Sequence, residues 1–119
     1  MKKVVLIDPC EEFLNDEKEI MESFNEVKCI AFTDSLKARE YLKNNTDVDL
    51  LITDYMMPNL TGLDVIKSVM QRKNEQIKFV VLSDENPKIM EELLKLNELD
   101  TIVRLEYKTN CWFLLTILE

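Results

Sequence analysis

Residues 49–62 read DLLITDYMMPNLTG: an apolar run, Leu50 to Ile52, gives way to Thr53 and the acid Asp54, and a loop carrying Pro58 then leads to Gly62. Hydrophobicity in this run is continuous rather than alternating, the pattern of a strand covered on both faces. Further runs at Val4–Ile7, Val27–Phe32, Phe79–Leu82 and Ile102–Val103 with its neighbours share its Val- and Ile-rich character. The segments between and after them, Phe13–Phe24, Leu36–Leu42, Leu63–Met70, Ile89–Leu96 and Trp112–Leu118, space their apolar residues as amphipathic helices do. Strand and helix thus alternate. Parallel strands need such crossovers, so the expected architecture is an α/β domain, a five-stranded parallel sheet flanked by five helices. Thr33-Asp34-Ser35 before Leu36, and Asn86-Pro87 before Ile89, supply helix-starting residues at the predicted boundaries.

Composition narrows the function classes. The 119 residues suffice for one domain, 1–119, and the 46% hydrophobic content is enough for a core. With 15 Lys+Arg against 23 Asp+Glu the formal charge is −8, which disfavours direct nucleic-acid binding. Cys10, Cys29 and Cys111 are odd in number and lack CxxC spacing, so they read as reduced core or near-core thiols of a cytoplasmic protein. The absence of histidine excludes the usual zinc sites. No run approaches a membrane span, and the start MKKVVLID lacks the long apolar core of a signal peptide. The acidic stretch with Glu11, Glu12, Asp16, Glu17, Glu19 and Glu22 reads as a solvated helix face.

Open parallel sheets bind ligands outside the carboxyl ends of their strands. Asp8 ends the first run, Asp54 the third, Ser83 the fourth and Arg104 the fifth. Two carboxylates, a hydroxyl and a guanidinium on one rim suit a divalent cation together with a phosphoryl group. Each residue also has a plainer reading. Asp8-Pro9 with Glu11 reads as a helix cap, Ser83 as a turn cap, and Arg104 as a resting ion pair with Asp54 or Asp8.

The segment Asp49–Gly62, with its strand-end Asp54, its Met57-Pro58 pair and Gly62, resembles the phosphoacceptor segment of two-component response regulator receiver domains. The other runs fit that family's remaining strands. The resemblance implies a flavodoxin-like receiver fold with strand order 2-1-3-4-5, and Asp54 as phosphoacceptor. It further implies Mg²⁺ held by Asp8, Asp54 and the backbone carbonyl of Met56, with Ser83 and Arg104 on the phosphoryl group. The implied role is that of a non-enzymatic signalling module. Its partners would be a sensor histidine kinase or phosphotransfer protein and an output domain or partner protein, with no membrane partner.

Departures from the family pattern leave a second reading open. Pro9 stands where a metal-ligating acid is usual, so weak Mg²⁺ binding is expected. Arg104-Leu105 replaces a lysine-proline pair, Thr101 falls at a position that is often aromatic, and Asp84 adds negative charge at the rim. The alternative is a degenerate pseudo-receiver, a phosphorylation-independent interaction or dimerisation module. Homodimerisation would use the last strand and helices, where Trp112 adjoins Phe113. A flavodoxin-like cofactor binder needs a phosphate-cradling glycine loop after the first strand, and Asp8-Pro9-Cys10-Glu11-Glu12 contains no glycine.

Overall fold

A computed structural model of the chain describes residues 1–24, 26–70 and 77–108. In chain order the elements are β1 (Lys2–Ile7), α1 (Glu11–Phe24), β2 (Val27–Phe32), α2 (Ser35–Asn44), β3 (Leu50–Asp54), α3 (Gly62–Met70), β4 (Lys78–Ser83), α4 (Pro87–Leu96) and β5 (Val103–Tyr107). The strands form one sheet in the order β2-β1-β3-β4-β5, and every pairing is parallel. The expected topology is observed. The helix expected over Trp112–Leu118, with the dimer surface assigned to it, lies outside the described residues.

The period of two along the strands divides the core. Val5, Ile7, Leu51 and Val81 meet Leu63, Ile66, Met90 and Leu94 on the face covered by α2, α3 and α4. Val4, Leu6, Leu50, Ile52, Val80 and Leu82 face the other way, with Leu14 and Met21 of α1. Because β1, β3 and β4 are buried on both faces, their sequences are continuously apolar, which explains why they were readable.

Local chemistry sets the helix ends. The Asp34 carboxylate accepts the backbone N–H groups of Leu36 and Lys37, and Asn86 accepts that of Lys88 with Pro87 in the first turn. Thr61 and Asp64 form a reciprocal box before α3: the Thr61 N–H donates to Asp64 Oδ2 at 2.9 Å, and the Asp64 N–H to Thr61 Oγ1 at 3.2 Å. After α4, the Leu99 N–H reaches the Leu94 carbonyl and the Glu98 N–H that of Lys95, while Glu98 takes a φ of 58°. This is a Schellman stop with glutamate where glycine is usual.

Candidate functional site: a carboxylate pair at the strand ends

Asp54 is the last residue of β3, and Asp8 immediately follows β1. As β1 and β3 are neighbours, both acids fall on one rim of the sheet. They are almost fully buried, Asp8 at 1% and Asp54 at 6% exposure. Two close buried carboxylates need a cation, and Lys108, the residue after β5, provides it. Its Nζ stands 3.0 Å from Asp54 Oδ2 and 3.3 Å from both Asp8 oxygens. The contact to Asp8 Oδ1 has hydrogen-bond geometry; that to Oδ2 does not, and Oδ2 is a buried oxygen without a hydrogen bond. The ammonium also lies 5.1 Å from the ring centroid of Phe13 on α1.

The electrostatics follow from burial and this shared cation. Burial pushes the Asp54 carboxyl above the ordinary aspartate range, against the opposing hydrogen bond and charge of Lys108. For Lys108, burial works to lower the pKa, but the bonds and charges of Asp54 and Asp8 outweigh it and the net direction is upward. Asp8 also accepts the Cys10 N–H at 2.8 Å, which closes a turn ahead of α1. Because that helix begins at Glu11, with the Leu14 N–H on the Cys10 carbonyl, Asp8 does not cap it, and the helix-cap reading gives way to its place on the rim. Ser83, the last residue of β4 and 5% exposed, accepts the Glu85 N–H at 3.0 Å, the turn-capping role read from sequence, at the same edge of the sheet.

Gly62 has a steric reason to be glycine. A Cβ there would lie 2.5 Å from the backbone oxygen of Asp54 and 3.0 Å from Thr53 Cγ2. The start of α3 is thereby pressed against the backbone of Asp54, and the Gly62 N–H donates to the Tyr55 carbonyl at 3.0 Å. Between them the loop places Asn59 at φ 74°, a conformation asparagine tolerates, and Ser35 Oγ donates to the Pro58 carbonyl at 2.8 Å.

The family model for the response regulator receiver domain matches residues 4–106. The chain belongs to that family. A putative two-component response regulator of Arabidopsis thaliana is 35% identical over 86 residues, covering 70% of this chain and 15% of the relative. A second Arabidopsis response regulator is 30% identical over 87 residues, covering 59% and 53% respectively. This receiver domain therefore spans between a seventh and about half of those relatives. Among solved structures, a receiver domain protein from Clostridium thermocellum superposes with a TM-score of 0.76 at 17% identity, covering 98% of this chain and 93% of that one. The signal receiver domain of a putative response regulator from Mycobacterium tuberculosis gives 0.77 at 20% identity, covering 98% and 92%.

The receiver fold requires corrections to the site read from sequence. Arg104 is not at the rim: it lies inside β5 opposite Val80, half exposed, with its guanidinium on Glu106 at 2.7–2.8 Å. β5 runs further than its short apolar run suggested, and the cation at its end is Lys108. The shift of four residues also moves the often-aromatic position from Thr101 to Leu105, and the position after the lysine to Thr109, outside the described residues. The solvated face expected for the acidic stretch of α1 does not include Glu17, which is 2% exposed. Cys29 is the core thiol expected, with burial pushing it up to about 12, whereas Cys10 is exposed and Cys111 lies outside the described residues.

The residues present fit a divalent ion at this rim. Asp8 offers a buried oxygen without a hydrogen bond, next to Asp54. Among the described residues no three His, Cys, Asp or Glu side chains are placed to hold a metal by themselves. Mg²⁺ needs no such trio, since it is commonly held through one or two carboxylates and keeps several waters. Met56 exposes its side chain, leaving only its backbone carbonyl as the ligand implied by the resemblance.

Proposed function

We propose that this receiver domain accepts a phosphoryl group on Asp54 from a histidine kinase or phosphotransfer protein and passes the change to an output domain or partner. The observation that carries this reading is the Asp54 carboxylate at a strand end, hydrogen-bonded by Lys108 at 3.0 Å with Asp8 on the same ammonium. An Asp54 oxygen forms the new bond to phosphorus as the donor's P–N bond breaks, and the electron pair leaves with the donor nitrogen, which takes up a proton. Asp8, Asp54 and the Met56 carbonyl would hold Mg²⁺, whose charge would offset the repulsion between the two anions. Lys108 pairs with a phosphoryl oxygen after releasing part of its hold on Asp8, and the Ser83 hydroxyl donates to another.

Ser83 links the site to a surface. A cleft of about 420 Å³ runs between α4 and β5, lined by Ser83, Pro87, Glu91, Leu94, Leu105 and Tyr107 among others. Movement of Ser83 toward a phosphoryl group reshapes the head of this cleft, where a partner reads the state. The module performs no turnover of its own in this reading, and it works in the cytoplasm. Among the described residues no helix is long and apolar enough to cross a membrane.

A second reading has its own observation. Pro9 removes an acid from the cation site while Lys108 already pairs with both Asp8 and Asp54, an arrangement that also suits a pseudo-receiver held in one state. Incubation with a small-molecule phosphodonor and Mg²⁺, followed by intact-mass measurement of the wild type and Asp54→Asn, separates the two. A single adduct on the wild type and none on the variant is expected. No adduct on either establishes the pseudo-receiver reading for that donor.

A further inference from the structure

A buried acid outside the sequence-predicted constellation faces the same rim. Glu17 is 2% exposed, and its Oε1 is the other buried side-chain oxygen, with Asp8 Oδ2, that lacks a hydrogen-bond partner among the described residues. Asp8 Oδ2 at least faces the Lys108 ammonium at 3.3 Å, whereas burying the Glu17 oxygen with no hydrogen bond is costly and calls for a ligand or a function.

Helix geometry gives Glu17 its direction. Phe13 and Glu17 are four residues apart on α1 and share a face. The Phe13 ring meets the Lys108 ammonium, which in turn holds Asp8 and Asp54. That face of α1 therefore looks onto the carboxylate pair. The fields felt by Glu17 agree: burial pushes its carboxyl up to about 8, the charges of Asp8 and Asp54 push the same way, and Lys108 opposes them. The charged groups of the site are its electrostatic neighbours.

We propose that Glu17 supplies the second acid of the divalent-cation site, acting through a water beside Asp8, in place of the carboxylate that Pro9 does not provide. The inference deepens the phosphoryl-accepting reading and rests on it for the choice of ion. Direct ligation by three acids is not required, and the described side chains are not placed for it. A water-bridged carboxylate is sufficient, because Mg²⁺ retains much of its water shell and outer groups tune its affinity strongly.

The test is calorimetric titration of the chain with Mg²⁺ alone, without a phosphodonor. Glu17→Gln preserves shape and removes the carboxyl that would ionise beside the ion, and it is expected to weaken Mg²⁺ binding by about tenfold, the lower end for an outer-shell group. In a Pro9→Asp background, where an acid is restored next to Asp8, the same substitution should change affinity by less than about twofold, as expected when a second acid already serves the ion. Equal or tighter Mg²⁺ binding by Glu17→Gln overturns the proposal, as does a wild type that binds no Mg²⁺. If Glu17→Gln fails to fold, the Glu17 carboxyl carbon resonance of the wild type decides: a shift on adding Mg²⁺ supports the role, and none refutes it. Mg²⁺ binding that depends on Glu17, together with absence of an Asp54 adduct, sinks the phosphoryl reading alone.

Discussion

Lys108 Nζ lies 3.0 Å from Asp54 Oδ2, and this pair joins the end of β5 to the end of β3 across the intervening strand β4. The ammonium is about one-fifth exposed and the carboxylate less than one-tenth, so the contact is shielded from screening. Removing the cation leaves Asp8 and Asp54 facing each other. Lys108→Met is expected to lose about 2 kcal/mol of stability at neutral pH in urea unfolding, the cost of stranding a mostly buried charge. Arg104→Ala, which removes an exposed ion pair with Glu106, should stay within about 0.5 kcal/mol of wild type. The reverse ranking contradicts the assignment of Lys108 to the site.

Glu17 gives stability a pH dependence whose sign is fixed. Its carboxyl titrates near 4.5 when unperturbed and at about 8 in the folded protein. Between those values the folded state keeps a proton that the unfolded chain has released, so this contribution lowers stability as pH rises from about 4.5 to about 8 and levels off above. In metal-free buffer Glu17→Gln removes the decline and is expected to be more stable than wild type by about 1–3 kcal/mol at pH 8. Parallel stability curves for the two proteins across that window would show that Glu17 is ionised and paired.

The stop of α4 offers a stabilising substitution away from the site. Glu98 holds a φ of 58° while the chain completes both bonds of its Schellman turn. A side chain in the left-handed region costs about 1 kcal/mol relative to glycine, so Glu98→Gly should raise stability by about that amount. Thermal melts should show the rise with no change in Mg²⁺ affinity.

Gly62 should tolerate no side chain. The Cβ of alanine meets the Asp54 carbonyl oxygen at 2.5 Å, a backbone atom that cannot swing aside. Gly62→Ala is expected to lose about 1–3 kcal/mol, as overpacking does, and to disturb the Asp54 environment as well. A variant with wild-type stability and an unshifted Asp54 carboxyl resonance would show that α3 can retreat without cost.

The fold was legible because β1, β3 and β4 are covered on both faces and so carry unbroken apolar runs, while Asp34 and Asn86 signalled helix starts. β5 was harder to bound. It is an edge strand in which only Val103 is buried, and the mixed text of Arg104, Leu105, Glu106 and Tyr107 hides its end. That misplacement made Arg104 the rim cation, although the sequence offered Lys108 four residues on. Glu17 was hidden for another reason: composition cannot separate a buried acid from its exposed neighbours on one helix. Its spacing from Leu14 and Met21, three and four residues to either side, was the available signal for the inward face of α1. The Thr61–Asp64 box was likewise readable from its spacing.

Identifying the phosphorylated side chain itself tests the account most directly. After treatment with a small-molecule phosphodonor and Mg²⁺, borohydride reduction converts an acyl phosphate to an alcohol, and peptide mass mapping locates it. The account predicts reduction of Asp54 alone in the wild type, with a lower yield in Lys108→Met and an unchanged yield in Arg104→Ala. Reduction at Asp8, Asp84 or any other acid, or none under conditions that label a control receiver, contradicts it.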